Sequence, residues 1–249
     1  MKFRKTLFSL ATVLSLCGLT SCGDSSSQTS DSSSTPVSST TSSSSSTSSS
    51  SSSSSSTTSI GVPAEYDISQ ITTAGEEYTV RGEVAALNTS AFLITDGDDS
   101  VYVYGRDLVK EVELGQYVEI TGATESYNNA LQFTYKNKPT ITVLEEESPV
   151  TLPTPAPLTS EIANSWTSTE SFTTKDVKLY TWTATAGTVT VKGQDYFTLN
   201  VEGVDLDIEP VYLPDTFKIT TGTTYNVEAY FIGYYNYASI VITNLSVAQ

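Results

Sequence analysis

The chain reads as all-β: two tandem five-stranded Greek-key barrels behind a disordered Ser/Thr-rich tether. Three observations predict this. From Asp24 to Ser59 the sequence is almost entirely Ser and Thr. From Ile60 onward Val, Ile, Tyr, Thr and Phe alternate with polar residues and are broken by Gly, Asn and Asp clusters, the pattern of short, half-buried strands. A second break, rich in Pro149, Pro153, Pro155 and Pro157, divides this part into two blocks of about 90 residues, each long enough for a small barrel and too short for a deep multilayered core. The expected organisation is a leader over 1–22, a tether over 23–59, a first barrel over 60–147, a linker over 148–158 and a second barrel over 159–249.

The leader carries Lys2, Arg4 and Lys5 before an apolar run from Leu7 to Leu19, the layout of a secretory signal. A run of about 13 residues makes roughly 20 Å of helix, short of the ~30 Å hydrocarbon core. It therefore targets the chain without spanning a bilayer. Leu19-Thr20-Ser21-Cys22 resembles the bacterial lipobox. That resemblance implies that Cys22 is acylated and becomes the first residue of the mature protein, with membrane lipid as its partner. Two buried acyl chains anchor a protein stably where one is marginal, so the expected location is extracytoplasmic, held on the bacterial cell membrane. The tether cannot bury enough apolar surface to offset the entropy of ordering it. As a flexible coil it reaches roughly 35 Å on average and roughly 120 Å at full extension.

In the first block, strands are expected at Tyr78–Val84, Phe92–Asp96, Val101–Tyr104, Gly115–Ile120, Leu131–Tyr135 and Ile141–Val143. In the second they are expected at Leu179–Thr185, Phe197–Val201, Val204–Ile208, Tyr225–Ala229 and Ser239–Leu245. The loop Tyr127-Asn128-Asn129 follows Gly115 much as Tyr235-Asn236-Tyr237 follows Gly222, so the blocks read as a duplication. Thr159, with Ile162 and Trp166 four apart, predicts one short capped helix packed on the second barrel.

The run from Tyr78 to Val143 resembles the oligonucleotide/oligosaccharide-binding (OB) domains of bacterial surface proteins. The likeness rests on Gly82 in the first strand, the hairpin from Phe92 to Tyr104 with its Asp96-Gly97 turn, the strand ending at Gly122, the Tyr-Asn turn and Leu131-Gln132. The second block fits by order and length only, having Glu202-Gly203 at the hairpin position. Relatives with these barrels often carry a metallonuclease or phosphodiesterase domain, for which no residues remain here.

The chain has no His, which removes the usual catalytic base, zinc ligand and Ser-His-Asp triad. Its two Cys are Cys17, lost with the leader, and Cys22, taken by lipid, so the folded part has no disulfide and no thiol site. No cofactor and no metal are expected. Loss of three bases and no acid with the leader moves the formal charge from −16 to −19, which repels phosphate backbones.

Asp96, Asp98 and Asp99 around Gly97 read either as a divalent-cation site or as a hairpin turn in which Asp and Gly accept positive φ. Asp205, Asp207 and Glu209 alternate with Val204, Leu206 and Ile208. They form an anionic strand face, either for a cationic polymer or metal or simply solvated. Glu145–Glu147 read as a solvated boundary. In OB domains the outer side of the second and third strands and the loop between the fourth and fifth grip ligands. The candidate ligand contacts are therefore Tyr102, Tyr104 and Arg106 in the first barrel, and Tyr235 and Tyr237 in the second, where Tyr230 and Tyr234 crowd the same segment. Aromatic rings there stack on bases, sugar faces or protein side chains, or serve cross-strand packing alone.

The function expected from the sequence is a non-catalytic, membrane-anchored surface binding module for single-stranded nucleic acid, glycan or a surface protein. The alternative is an accessory or degenerate component of a metal-dependent surface nuclease or phosphodiesterase system.

Overall fold

The structure is a computed structural model and describes residues 61–249. The leader, Cys22 and the tether lie outside the described residues. The described residues fall within one compact unit.

Six strands come from the first block: β1 (Glu77–Leu87), β2 (Ala91–Thr95), β3 (Ser100–Tyr104), β4 (Tyr117–Tyr127), β5 (Ala130–Thr134) and β6 (Thr140–Val143). Their order is β1-β2-β3-β5-β4, with β4 returning to β1, so five strands close into a barrel. The β3–β5 pair is parallel and the other pairs are antiparallel. This is the connectivity of an OB barrel, with β6 added to β4 at one edge.

Closure depends on β1, which pairs with β4 over Glu77–Glu83 and with β2 from Glu83 on. A strand serving two neighbours must bend, and it does so at Gly82 and at a bulge between Val84 and Ala86. A Cβ on Gly82 would lie 2.7 Å from the Thr95 carbonyl oxygen. Alternate residues of β1 point inward, and Val80, Val84, Phe92, Ile94, Val101, Val103, Ile120 and Phe133 form the core, closed at one end by Ile68 and Ile71.

The Asp96 carboxylate accepts from the backbone N–H of Asp98 (3.1 Å), of Asp99 (2.8 Å) and of Ile68 (2.9 Å). It therefore shapes the β2–β3 turn and ties it to the segment that plugs the barrel. Among the described residues no group of three or more acidic side chains has the geometry of a metal site.

In the second block the chain forms β7 (Ala156–Pro157), α1 (Ser160–Trp166), β8 (Leu179–Thr185), β9 (Gly187–Val191), β10 (Gln194–Thr198), β11 (Ile208–Pro210), β12 (Thr224–Tyr234) and β13 (Ala238–Val247). The Thr159 side chain caps α1 by accepting from the Ile162 N–H. Trp166 lies in the core, stacked on Phe231 at 4.1 Å between centroids. Linker residues Ala156 and Pro157 pair in parallel with β8; most of the linker's remaining residues are exposed or half-buried.

The second sheet runs β11-β13-β12-β8-β7, and β9–β10 form a separate hairpin. Parallel β11–β13, antiparallel β12–β13 and antiparallel β12–β8 repeat the pairings of β3–β5, β4–β5 and β4–β1. The ladder is open, however, between β10 and β11: Leu199, just past β10, donates its N–H to the Ile208 carbonyl (2.9 Å). Side chains occupy the other ladder positions: Asn200 accepts from the Ile208 N–H (2.9 Å), and Trp182 Nε1 donates to the Leu199 carbonyl (2.9 Å). The strands expected over Phe197–Val201 and Val204–Ile208 are therefore displaced or shortened, because the chain turns at Val201–Val204 with Gly203 at φ +76°. Val204, Leu206 and Ile208 still enter the core.

The two halves share a third apolar cluster. Ala86, Ala91, Leu93 and Tyr102, on the outside of the first barrel, pack against Val177, Tyr230, Ile232 and Val241 of the second half. Beside it, the β4–β5 turn docks on the end of β12. Tyr234 N–H donates to the Asn128 carbonyl (2.9 Å), Asn129 Nδ2 donates to the Tyr234 carbonyl (3.0 Å), and Phe172 N–H donates to the Asn129 carbonyl (2.7 Å). The turn has Asn128 and Asn129 at φ +49° and +61°, the left-handed pair of a tight hairpin that Asn tolerates.

Candidate functional site

The outer face of β2–β3 is covered. Leu93 and Tyr102 are register partners, and both are buried by the second half, Tyr102 to 5% exposure. Its hydroxyl accepts from Asn88 Nδ2 at 2.9 Å, and burial raises its pKa. Tyr102 is therefore a floor residue where an open platform was expected from the strand pattern: outward from one barrel means inward to its neighbour.

Beyond Tyr102 a cleft of about 650 Å³ opens between the halves. Seven of the chain's 15 tyrosines line it: Tyr102, Tyr104, Tyr127, Tyr135, Tyr196, Tyr212 and Tyr237. Tyr104, at the end of β3, is the hub. Its ring lies 5.4 Å from that of Tyr212 and meets the Tyr135 ring edge-on at 6.0 Å. The Tyr212 hydroxyl bonds to that of Tyr104 at 3.3 Å.

Tyr212 sits at φ +49°, a left-handed conformation that costs a non-glycine residue about 1–2 kcal/mol and marks positions held by their surroundings. Here Thr89 holds it, donating both its N–H and its hydroxyl to the Tyr212 carbonyl at 3.0 Å. The β1–β2 loop of one half thus sets a ring of the other. Burial raises the pKa of Tyr212 and of Tyr237, so both phenols remain hydrogen-bond donors at ordinary pH.

The polar lining includes Gln132, Asn128, Gln194 and Ser239, the Lys136–Glu125 ion pair (3.5 Å), and Glu209. Glu209, last of the alternating acidic residues, is 7% exposed. Burial raises its pKa, and the nearby Asp207 charge adds to this. Gln194 and Tyr196 reach the cleft from the β9–β10 hairpin.

Of the other sequence candidates, Tyr237 lines the cleft and Tyr235 does not, being 60% exposed at the β12–β13 turn. Arg106 lines an adjoining hollow of about 560 Å³ together with Lys138, Leu108 and Pro139. Tyr104 and Tyr135 line both spaces, so the hollow adjoins the cleft across these two rings.

Sequence reasoning missed Tyr127, Tyr135, Tyr196 and Tyr212. Tyr127, Tyr135 and Tyr212 lie in or beside turns and Tyr196 lies within β10, and only the docking of the halves brings the four together. The one available signal was the surplus of tyrosine in segments outside the strand cores.

No protein-family model and no curated protein matches the chain. Among solved structures, it is similar to the p202 HIN1 domain in complex with a 12-mer double-stranded DNA, with 8% identity, 69% of this chain and 96% of that chain covered, and a TM-score of 0.38. It is likewise similar to the Ifi202 HINa domain in complex with 20-base-pair DNA, at 10% identity, 70% and 98% coverage and a TM-score of 0.37. A murine DNA-binding protein bound to double-stranded DNA matches at 9% identity, 69% and 98% coverage and a TM-score of 0.36. Likeness at this level assigns no ligand to the cleft.

Proposed function

We propose that this chain is a lipid-anchored surface module that binds glycan chains without catalysis, and that its site is the tyrosine-lined cleft between its halves. In this reading Cys22 carries the lipid and residues 23–59 hold the folded part away from the membrane. Residues 60–147 and 159–249 are two OB-like barrels, the second opened at one seam and the two locked into one body.

The observation that carries the proposal is the gathering of seven tyrosines around one groove. Sugars offer apolar C–H faces ringed by hydroxyls. Flat rings beside amides, carboxyls and protonated phenols meet both demands. A phosphate backbone fits less well, because Glu125 and Glu209 line the cleft and the whole chain is strongly anionic. Single-stranded nucleic acid is the second reading, favoured by the OB connectivity of β1–β5.

The test is binding of residues 60–249 to a panel of immobilised neutral oligosaccharides and to a 12-nucleotide oligo-dT, each at low and high salt. Glycan binding that is indifferent to salt supports the proposal. Binding to oligo-dT alone, falling steeply with salt, would replace it with the second reading.

A further inference from the structure

The hollow next to the cleft differs from it in charge. Nine basic side chains remain after the leader, and among the described residues Arg81, Lys110, Lys136 and Lys218 are each paired with a carboxylate. Arg106 and Lys138 take part in no ion pair among the described residues, yet they line the same hollow. The one acid beside them, Asp107, is engaged by Lys110 at 2.8 Å, and that bond lowers its pKa.

The fold fixes where both residues leave the backbone. Arg106 lies two residues past the end of β3, after Gly105, and its Nε donates to Ser90 Oγ at 3.4 Å. Lys138 ends the turn after β5 with φ +50°, and Pro139 behind it is packed against Gly122, where an added Cβ would lie 2.9 Å from the proline ring. Against the net negative field of the chain, two cations that line one hollow without an acid partner form a local positive spot that can receive an anion. Tyr104 and Tyr135 form the wall between this hollow and the cleft.

Resting on the reading of the cleft as a glycan site, we propose that the Arg106–Lys138 hollow is a subsite for an acidic substituent, and that the ligand is an acidic polysaccharide carrying a carboxylate, sulfate or phosphate on an otherwise neutral backbone. A sugar ring lies against Tyr135 and Tyr104 while its anionic group sits between Arg106 and Lys138. The chain then continues into the cleft, whose lining offers Glu209 and the Lys136–Glu125 pair and, among the described residues, no cation without an acid partner. Nucleic acid, with a phosphate on every unit, would set its next charges against those carboxylates.

The experiment uses a panel in which each neutral oligosaccharide, of glucose, galactose or N-acetylglucosamine units, has a counterpart bearing one uronate. Binding is measured for wild type and for Arg106→Gln/Lys138→Gln; both residues are exposed, and a thermal melt confirms that the variant is folded. The expected result is that wild type prefers the uronate member by about tenfold, as for a charge-assisted pair at a partly exposed site. The variant should lose that preference, and the preference of wild type should shrink with salt. Equal wild-type affinity for both members overturns the subsite and leaves the cleft standing. Binding of no glycan at all overturns both, as does oligo-dT binding alone.

Discussion

Docking of the two halves creates the cleft, and Gly233→Ala tests that docking at its tightest point. Gly233 has φ +142°, and a Cβ there would lie 2.7 Å from the Asn128 carbonyl oxygen and 3.2 Å from the Ala130 Cβ. Holding a non-glycine residue in that conformation costs about 1–3 kcal/mol. The clash is with backbone, so the β4–β5 turn must withdraw. Withdrawal strains the Tyr234 N–H to Asn128 carbonyl bond and the Asn129 to Tyr234 carbonyl bond, each worth about 1 kcal/mol. Together these give a loss of roughly 2–4 kcal/mol, which for a domain of this size lowers Tm by roughly 5–15 °C. Circular dichroism melts and urea titrations of residues 60–249 read it directly, and any glycan bound by wild type should bind the variant more weakly, because Tyr237 and Tyr127 part. A variant within about 0.5 kcal/mol of wild type, with unchanged binding, would refute this account of the interface.

Tyr102→Phe removes the acceptor of the Asn88 bond while Asn88 keeps a longer contact to the Val211 carbonyl; it should cost about 1 kcal/mol in urea unfolding, and a neutral result would mean the bond is replaced by water. Asp99 has its pKa raised to about 6 by burial and by the Asp96 charge. A carboxyl raised above its unfolded value of about 3.9 makes the folded state bind more protons, so its contribution rises as pH falls through 6 and is complete only below about 3.9. Asp99→Asn should accordingly be more stable than wild type at pH 7.5, keep about half of that advantage at pH 5 and lose it as pH approaches 4, as read by paired urea titrations; parallel pH profiles would show that Asp99 is not the group involved. Cys22→Ala should abolish acyl labelling and leave the protein out of the detergent phase of a Triton X-114 partition, whereas unchanged partition would place the anchor elsewhere.

The first barrel was legible because its physics is local. The alternation of β1, the Asp96-Gly97 turn and the Asn128-Asn129 turn each state a conformation within a few residues. The capped helix with Trp166 on its inner face was legible for the same reason. The opened seam was not, because Asn200 and Trp182 replace ladder bonds through contacts that no strand pattern encodes. Nor was the fate of Tyr102: the alternation tells which side of the strand it occupies, and not that a second half covers that side. Tyr104, Arg106 and Tyr237 were reached by analogy with OB ligand faces. Tyr135 and Tyr212 belong to the groove only through tertiary packing, so no reading of either segment alone includes them.

The central claim is that the tyrosine groove is the binding site, and removal of its hub tests it most directly. Tyr104 and Tyr212 lie ring to ring at the junction of cleft and hollow. Stacking contributes about 1–3 kcal/mol per ring, so a Tyr104→Ala/Tyr212→Ala variant should bind the neutral oligosaccharides that wild type binds more than tenfold more weakly. The measurement is an isothermal titration of both proteins at two salt concentrations, with a melt showing that the variant is folded. The account predicts that large loss, unchanged by salt; equal affinity of the folded variant and wild type would contradict it.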